Sequence, residues 1–198
     1  MRRTIGKEYK TYEEYIIHQK EKTTDPVRRK LWLNKEWQMK IDIFLKVFKK
    51  YKELHILKEN DKCLCLGART GQEVVALQEL GMNAIGIDIE PNEPYVILGD
   101  IHNLHFKNES IDFCFTNIVD HSIYPEKFMS EIERVRTPQG HALIQLQLNC
   151  KSDEYAENDV YAADEIIQLF KHSEVIYSHK IPFTLSMNWE ILLKKKNI

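Results

Sequence analysis

The sequence predicts an α/β fold: a doubly wound, mostly parallel seven-stranded sheet with an antiparallel C-terminal strand pair, preceded by N-terminal helices. Three observations carry this. From residue 62 onward, short apolar runs of strand length alternate with amphipathic stretches of helical length. Several of the runs are apolar at consecutive positions, as expected of strands covered on both faces. The last two runs lie about seven residues apart with no helix between them, too short a link for a parallel crossover, so they pair antiparallel at an edge.

The elements follow in order. The first ~60 residues read as helical from the spacing of their apolar positions. Thr11-Tyr12-Glu13-Glu14 has the form of a capping box. Asp25-Pro26 marks a second helix start, because Asp caps and Pro is tolerated where the N–H is unpaired. Leu33, Trp37, Ile41, Phe44, Leu45 and Phe48 continue at helical spacing, with lysines opposite. The period then changes. Strands are expected over 63–66, 84–87, 95–98, 111–116, 141–148, 175–181 and 189–194, and helices over 73–80, 126–135 and 164–171. Gly81 closes the helix over 73–80.

Bulk properties narrow the function. A chain of 198 residues suits one domain, read here as a helical cap over 1–60 on a core over 61–198. Lys+Arg 28 against Asp+Glu 30 leaves a net charge of -2, which gives no electrostatic reason to expect nucleic acid or an anionic membrane as partner. The basic clusters at 28–30 and 194–196 read as solvated. No apolar run approaches the ~20 residues of a membrane span, and the polar start lacks a secretory core, so a cytoplasmic location is expected. Cys63, Cys65, Cys114 and Cys150 have no disulfide-framework spacing. Cys63 and Cys65 share a strand face and read as buried small hydrophobes rather than zinc ligands.

The chemistry concentrates where strands end, since ligands of open α/β sheets sit beyond the carboxyl ends of the strands. Leu64-Cys65-Leu66-Gly67-Ala68-Arg69-Thr70-Gly71 ends the first strand. Its two glycines permit a tight turn and close backbone approach, with a helix N-terminus behind. Asp88 ends the second strand, where a carboxylate is positioned to accept from two ribose hydroxyls.

At this point the chain resembles the class I S-adenosylmethionine-dependent methyltransferases. The stretch 64–71 is similar to their first motif, L-D-x-G-x-G-x-G, and Gly86-Ile87-Asp88 to their second. Gly99-Asp100 with Leu104-His105-Phe106 looks like the following acidic segment. Asp112-Phe113 with Thr116-Asn117-Ile118-Val119-Asp120-His121 resembles the fourth strand and its loop, and Pro138-Gln139-Gly140 the turn before the fifth. The resemblance covers residues 62–148 and implies a Rossmann-like fold with S-adenosylmethionine as cofactor. It implies that Gly67, Ala68, Arg69, Gly71, Asp88, Ile89, Asp100, Ile101 and Asn117 border that cofactor, Asp88 at the ribose and Asp100 at the adenine. The chain departs from the motif in carrying Arg69 for the middle glycine and Cys65 for the acid. Arg69 either supplies a cation for the methionine carboxylate or points outward at the surface.

Methyl transfer requires an aligned acceptor and, for a hydroxyl or ammonium, a group that removes a proton. His121, after the fourth strand, is the candidate general base, with Asp120 or Asn117 beside it; a purely structural role is the alternative. His102 and His105 lie near Asp100 but lack a further metal-ligand pattern. Tyr12, Tyr15, His18, Trp32 and Trp37 are candidates for a lid, although Trp37 also fits a core position. Gln145, Gln147 and Asn149 are expected to face the acceptor. The reading is methyl transfer to a small-molecule acceptor such as a hydroxyl; the alternative is a cofactor-binding or regulatory protein of the same fold. A nicotinamide oxidoreductase fits poorly, because the turn lacks G-x-G-x-x-G.

Overall fold

The computed structural model describes residues 2–3, 8–150 and 153–197. Helix α1 (Tyr12–Thr24) starts as its cap predicts: the Thr11 hydroxyl accepts from the Glu14 N–H at 3.2 Å, and the Glu14 carboxylate accepts from the Lys10 N–H at 2.7 Å. Helix α2 (Pro26–Leu33) starts at Asp25, whose side chain accepts from the Arg28 N–H at 2.7 Å. The apolar spacing from 33 to 48 suggested one continuous helix, but the chain breaks at Asn34. The Asn34 amide donates to the Lys30 carbonyl at 2.7 Å and takes the acceptor that the helix ladder would use. Helix α3 (Trp37–Glu53) then begins after a turn over 34–36.

The sheet contains β1 (Lys62–Leu66), β2 (Asn83–Asp88), β3 (Val96–Leu98), β4 (Ile111–Thr116), β5 (Arg136–Leu146), β6 (Ser173–Thr184) and β7 (Met187–Lys195). Their order is β3-β2-β1-β4-β5-β7-β6, and all pairs are parallel except those of β7, which is antiparallel to both neighbours. This is the predicted doubly wound sheet with its antiparallel terminal pair. Helices α4 (Gln72–Glu79), α5 (Pro125–Val135) and α6 (Asp164–Ile167) complete the alternation. A short antiparallel pairing joins Arg2 to Asp159 and Arg3 to Asn158.

Three boundaries differ from expectation. Strand β5 begins at Arg136, ahead of a bulge that holds Gln139 at a left-handed φ of 67°. Helix α6 is shorter than 164–171, and the chain goes on to Phe170 in bonds from Leu169 N–H to Ile166 O and from Phe170 N–H to Ile167 O. The link between β6 and β7 is a tight turn at Leu185 and Ser186, with φ of 49° and 69°. Two left-handed residues match the twist of a hairpin. Neither is a Gly or Asn, which is why the turn left no mark in the sequence.

The core has two layers, one on each face of the sheet. On one, Leu64, Cys114 and Ile144 pack against Phe128 and Ile132 of α5 and Ile166 of α6. On the other, Cys63, Cys65, Phe113 and Phe115 pack against Phe44 and Phe48 of α3 and Val74 and Leu77 of α4. The helical start therefore divides: α3 belongs to a core layer, while α1 and α2 remain over the strand ends. Burial pushes the Cys63 and Cys65 thiols up, and that of Cys114 up to about 12, so these are packing groups.

Phe48 is fully buried and meets the rings of Phe113 and Phe115 edge-on at 6.3 and 5.1 Å. Phe48→Ala is expected to cost about 3–5 kcal/mol in urea unfolding, as phenylalanine cavities do. Phe183→Ala, at a ring 67% exposed, should stay within about 0.5 kcal/mol of the wild type.

Candidate functional site

The site is built on the turn from β1 to α4. Gly67 takes a φ of 73°, and a Cβ there would lie 2.4 Å from the Ile118 side chain, so no other residue fits without displacement. The N–H groups of Gly67 and Ala68 donate to the Ile87 carbonyl at 2.9 and 3.0 Å. Arg69 follows at a left-handed φ of 49°, a conformation costly for a residue with a Cβ. Its N–H donates to Asp88 Oδ2 at 2.9 Å, while Asp88 Oδ1 accepts from the Glu90 N–H at 3.1 Å. Burial pushes the Asp88 carboxyl up, and these two donors partly restore its ionised form. A carboxylate has about four acceptor positions, so Asp88 retains capacity for two more donors. Gly71, at a φ of 91°, caps α4 behind this turn against Tyr95 and lines neither chamber of the cleft.

Beyond the strand ends lie two joined chambers. The first, about 580 Å³, has Asp88, Ile89, Asp100 and Ile101 on the sheet side and Tyr15, Gln19 and Lys22 of α1 facing them. The second, about 1610 Å³, is walled by Trp32, Phe44, Ala68, Glu73, Asn117 and Gln147, with the Leu185–Ser186 turn at its rim. Gly67, Arg69, Ile118, His121 and Lys22 border both. The Arg69 guanidinium lies over the Trp32 ring, 4.5 Å from its centre, which places it within the cleft rather than on the outer surface.

At the end of the first chamber, Tyr12 of α1 donates to both Asp100 oxygens at 2.8 and 2.9 Å. The His102 N–H donates to Asp100 Oδ1 at 2.8 Å, His102 Nδ1 lies 2.6 Å from the Tyr12 hydroxyl, and His102 Nε2 lies 2.7 Å from Ser122 Oγ. With the tyrosine proton directed at Asp100, Nδ1 carries the ring proton between the tyrosine oxygen and Asp100 Oδ1, 3.2 Å away, and Nε2 accepts from Ser122. Burial works against ionisation of Asp100, but hydrogen bonds from the His102 side chain and backbone and from Tyr12 outweigh it and hold the carboxyl down at about 2. Burial and the same carboxylate push the Tyr12 phenol well above its usual range, so it remains a donor.

His121 occupies the junction of the chambers. Its Nδ1 lies 2.9 Å from the Tyr155 carbonyl, which can only accept, so Nδ1 carries the proton and the lone pair of the neutral ring is on Nε2. Nε2 is 3.8 Å from Asp120 Oδ2. Helix α1 is fastened over this floor at several points: Tyr15 donates to the His121 carbonyl at 2.9 Å, Gln19 to the buried Glu157 at 2.8 Å, and Lys22 pairs with Asp153 at 2.6 Å.

Of the residues expected from sequence, Gly67, Ala68, Arg69, Asp88, Ile89, Asp100, Ile101, Asn117 and His121 are thus brought to the cleft, with Asp120, Tyr15 and Trp32. Others are not. Gln145 turns away to donate to Glu190 at 2.9 Å, and Asn149 is exposed and bonds the Tyr161 carbonyl at 3.0 Å. Strand β5 ends at Leu146, so the alternation that would have aligned these two with Gln147 is lost. Trp37 packs on Tyr95 and His18 stacks on Tyr155. Both ring nitrogens of His102 are spent in hydrogen bonds, and among the described residues no group of three or more His, Cys, Asp or Glu is arranged to hold a metal ion. Sequence reasoning missed Gln19, Lys22 and Glu73. Only Glu73 left a signal, a charge on the inner face of α4 beside Val74 and Leu77.

Residues 64–144 match the model of a family described as a methyltransferase domain. No curated protein matches the chain in sequence. Among solved structures, the Burkholderia thailandensis 1,6-didemethyltoxoflavin-N1-methyltransferase, with bound 1,6-didemethyltoxoflavin and S-adenosylhomocysteine, is similar at a TM-score of 0.73 and 12% identity, over 98% of this chain and 94% of that one. A SAM-dependent methyltransferase from Methanosarcina mazei matches at 0.61 and 16% over 73% and 97%. One from Aquifex aeolicus matches at 0.61 and 18% over 77% and 89%. Residues 64–144 thus match a methyltransferase domain, and the fold is the one these S-adenosylmethionine-dependent enzymes share. The cleft fits that cofactor: it offers a buried carboxylate with free acceptor positions, apolar walls at Ile89 and Ile101, and a turn that excludes a Cβ at Gly67. Among the described residues no helix is long and apolar enough to cross a membrane.

The Tyr12–Asp100 contact has a measurable signature. Asp100 titrates below its unfolded value, so its stabilisation is present above pH ~4 and is lost as pH falls toward 2. Tyr12→Phe should lower urea stability by about 1–2 kcal/mol at pH 7. The difference from wild type should shrink as pH is lowered from 5 to 3; a constant difference would separate Tyr12 from the Asp100 charge.

Proposed function

We propose that the protein transfers the methyl group of S-adenosylmethionine to a hydroxyl of a small-molecule acceptor, with His121 as general base. The observation that carries this reading is the position of His121 between the two chambers, with Nδ1 fixed on the Tyr155 carbonyl and Nε2 left as the acceptor. When bound, the cofactor supplies an electrophilic methyl group on a sulfonium sulfur. In the first chamber Asp88 accepts from the ribose hydroxyls, Ile89 and Ile101 flank the adenine, and Asp100 accepts from its amino group. Gly67, Ala68 and Asn117 border the thread to the second chamber, where Arg69 faces the methionine carboxylate. His121 Nε2 holds the acceptor hydroxyl and takes its proton, and the Asp120 carboxylate steadies the resulting imidazolium. Helix α1 keeps water from the nucleotide end. The second chamber, with Trp32 and Phe44 beside Asn117 and Gln147, suits a compact acceptor with a flat apolar body and polar substituents.

Two measurements test this. By titration calorimetry the wild type should bind S-adenosylhomocysteine and not NAD, and Asp88→Asn should lose about 1.5–3 kcal/mol of that binding, the range for hydrogen bonds to a charged group. With an acceptor found by screening metabolites for S-adenosylhomocysteine release, His121→Ala should lower turnover roughly 100-fold or more while leaving cofactor affinity nearly unchanged. Full turnover and an unaltered pH profile in His121→Ala would make the residue structural. Tight cofactor binding with no acceptor methylated would favour a cofactor-binding protein without transfer.

A further inference from the structure

Among the described residues, Glu73 is the one buried carboxylate of the cleft that the proposed mechanism leaves unused. It stands in the first turn of α4, is 6% exposed, and lines the second chamber beside Ala68 and Arg69. Only its own backbone N–H is hydrogen-bonded to it, and no cationic side chain among the described residues lies within ion-pair distance. The two nearest cations are committed elsewhere. Lys40 pairs with Glu36 at 2.6 Å, and the Arg69 guanidinium lies on Trp32. A buried carboxylate without a cation is unfavourable and tends to neutralise itself instead. Glu73 shows this response: burial pushes its carboxyl up to about 7, against the pull of its own N–H and of Arg69 and Lys40, while Asp88 adds to the rise.

We propose that Glu73 is the anionic partner of the cofactor's ammonium group, so that Glu73 and Arg69 together clamp the zwitterionic amino-acid end of S-adenosylmethionine. A ligand anchored at Asp88 in the first chamber and reaching past Gly67, which both chambers share, enters the second chamber, whose wall includes Arg69 and Glu73. That end carries one carboxylate and one ammonium. The wall carries one guanidinium and one carboxyl, with the carboxyl at a helix N-terminus, where its ionised form is favoured. The clamp occupies the segment where the first motif departs from its family by carrying Arg69 in place of glycine. The proposal rests on S-adenosylmethionine as cofactor and on the assignment of Arg69 above.

The test is a binding cycle with three ligands, read by calorimetry: S-adenosylhomocysteine, its analogue without the amino group, and methylthioadenosine, which lacks the amino-acid end. In the wild type, loss of the amino group should weaken binding about ten-fold or more, the scale of a charge-assisted hydrogen bond. Glu73→Gln should weaken S-adenosylhomocysteine to the level of the amino-lacking analogue, leave that analogue unaffected, and leave methylthioadenosine unchanged. Glu73→Asp, which retreats from the ligand but keeps the charge, should fall between, and it carries the test if Glu73→Gln does not fold. Wild-type affinity for S-adenosylhomocysteine in the variants, or equal weakening of methylthioadenosine, overturns the assignment of Glu73 and leaves the cofactor in place. A wild type that binds none of the three ligands overturns the cofactor reading itself.

Discussion

The cleft depends on one hydrogen bond, from the backbone N–H of Arg69 to the carboxylate of Asp88. With the bonds from Gly67 and Ala68 to the Ile87 carbonyl, it ties the end of β2 to the turn after β1, and of the three it alone engages the acid side chain. Arg69 is left-handed and has a Cβ, so the turn is strained by its own sequence. A charged acceptor aimed at its N–H offsets that strain. The same carboxylate is buried, and its remaining acceptor positions open toward the cleft. Backbone geometry of the turn and ligand-binding capacity of the acid are therefore one arrangement, and a change in either disturbs the other.

A second set of polar contacts is layered on that frame. Helix α1 has a weak apolar face and could not stand on its own. Tyr12, Tyr15, Gln19 and Lys22 hold it to Asp100, the His121 carbonyl, Glu157 and Asp153. Each contact is modest in net worth, because folding exchanges water for protein at each polar group. Together they fix where the helix lies. Three of the four also touch a residue that lines a chamber or its acid, so the cover and the site share their stabilising groups. One oxygen of Glu157 lacks a hydrogen-bond partner, so this docking is not fully satisfied.

The parts of the site that were legible in the sequence interrupt a regular pattern. Gly67, Asp88, Asp100 and His121 each end or follow a short apolar run, and a change of period is visible in a single chain. The doubly wound sheet and its antiparallel end followed from run lengths and from the late pair of strands with no helix between them. What could not be read depends on partners distant in sequence. Gln19 and Lys22 look like ordinary surface residues of a polar helix, and only the arrival of Glu157 and Asp153 gives them a role. The break at Asn34 was hidden because the apolar spacing continues across it. The turn at Leu185 and Ser186 was hidden because neither residue favours the left-handed conformation, and the pairing of the flanking strands imposes its geometry. Gln145 was misplaced for a related reason: its partner Glu190, opposite it on β7, is distant in sequence.

The walls of the cleft come from opposite directions along the chain. Helix α1 covers the first chamber, the β6–β7 hairpin rims the second, and the strand-end loops between them form the floor. Contacts of such long sequence separation form late and slowly, because closing a large loop has to precede the stabilisation it brings. During synthesis on a ribosome the floor can be complete while the enclosure is not, since the hairpin emerges after every other element of the cleft. The walled cleft is thus a product of the finished fold and is withheld from partly made chains.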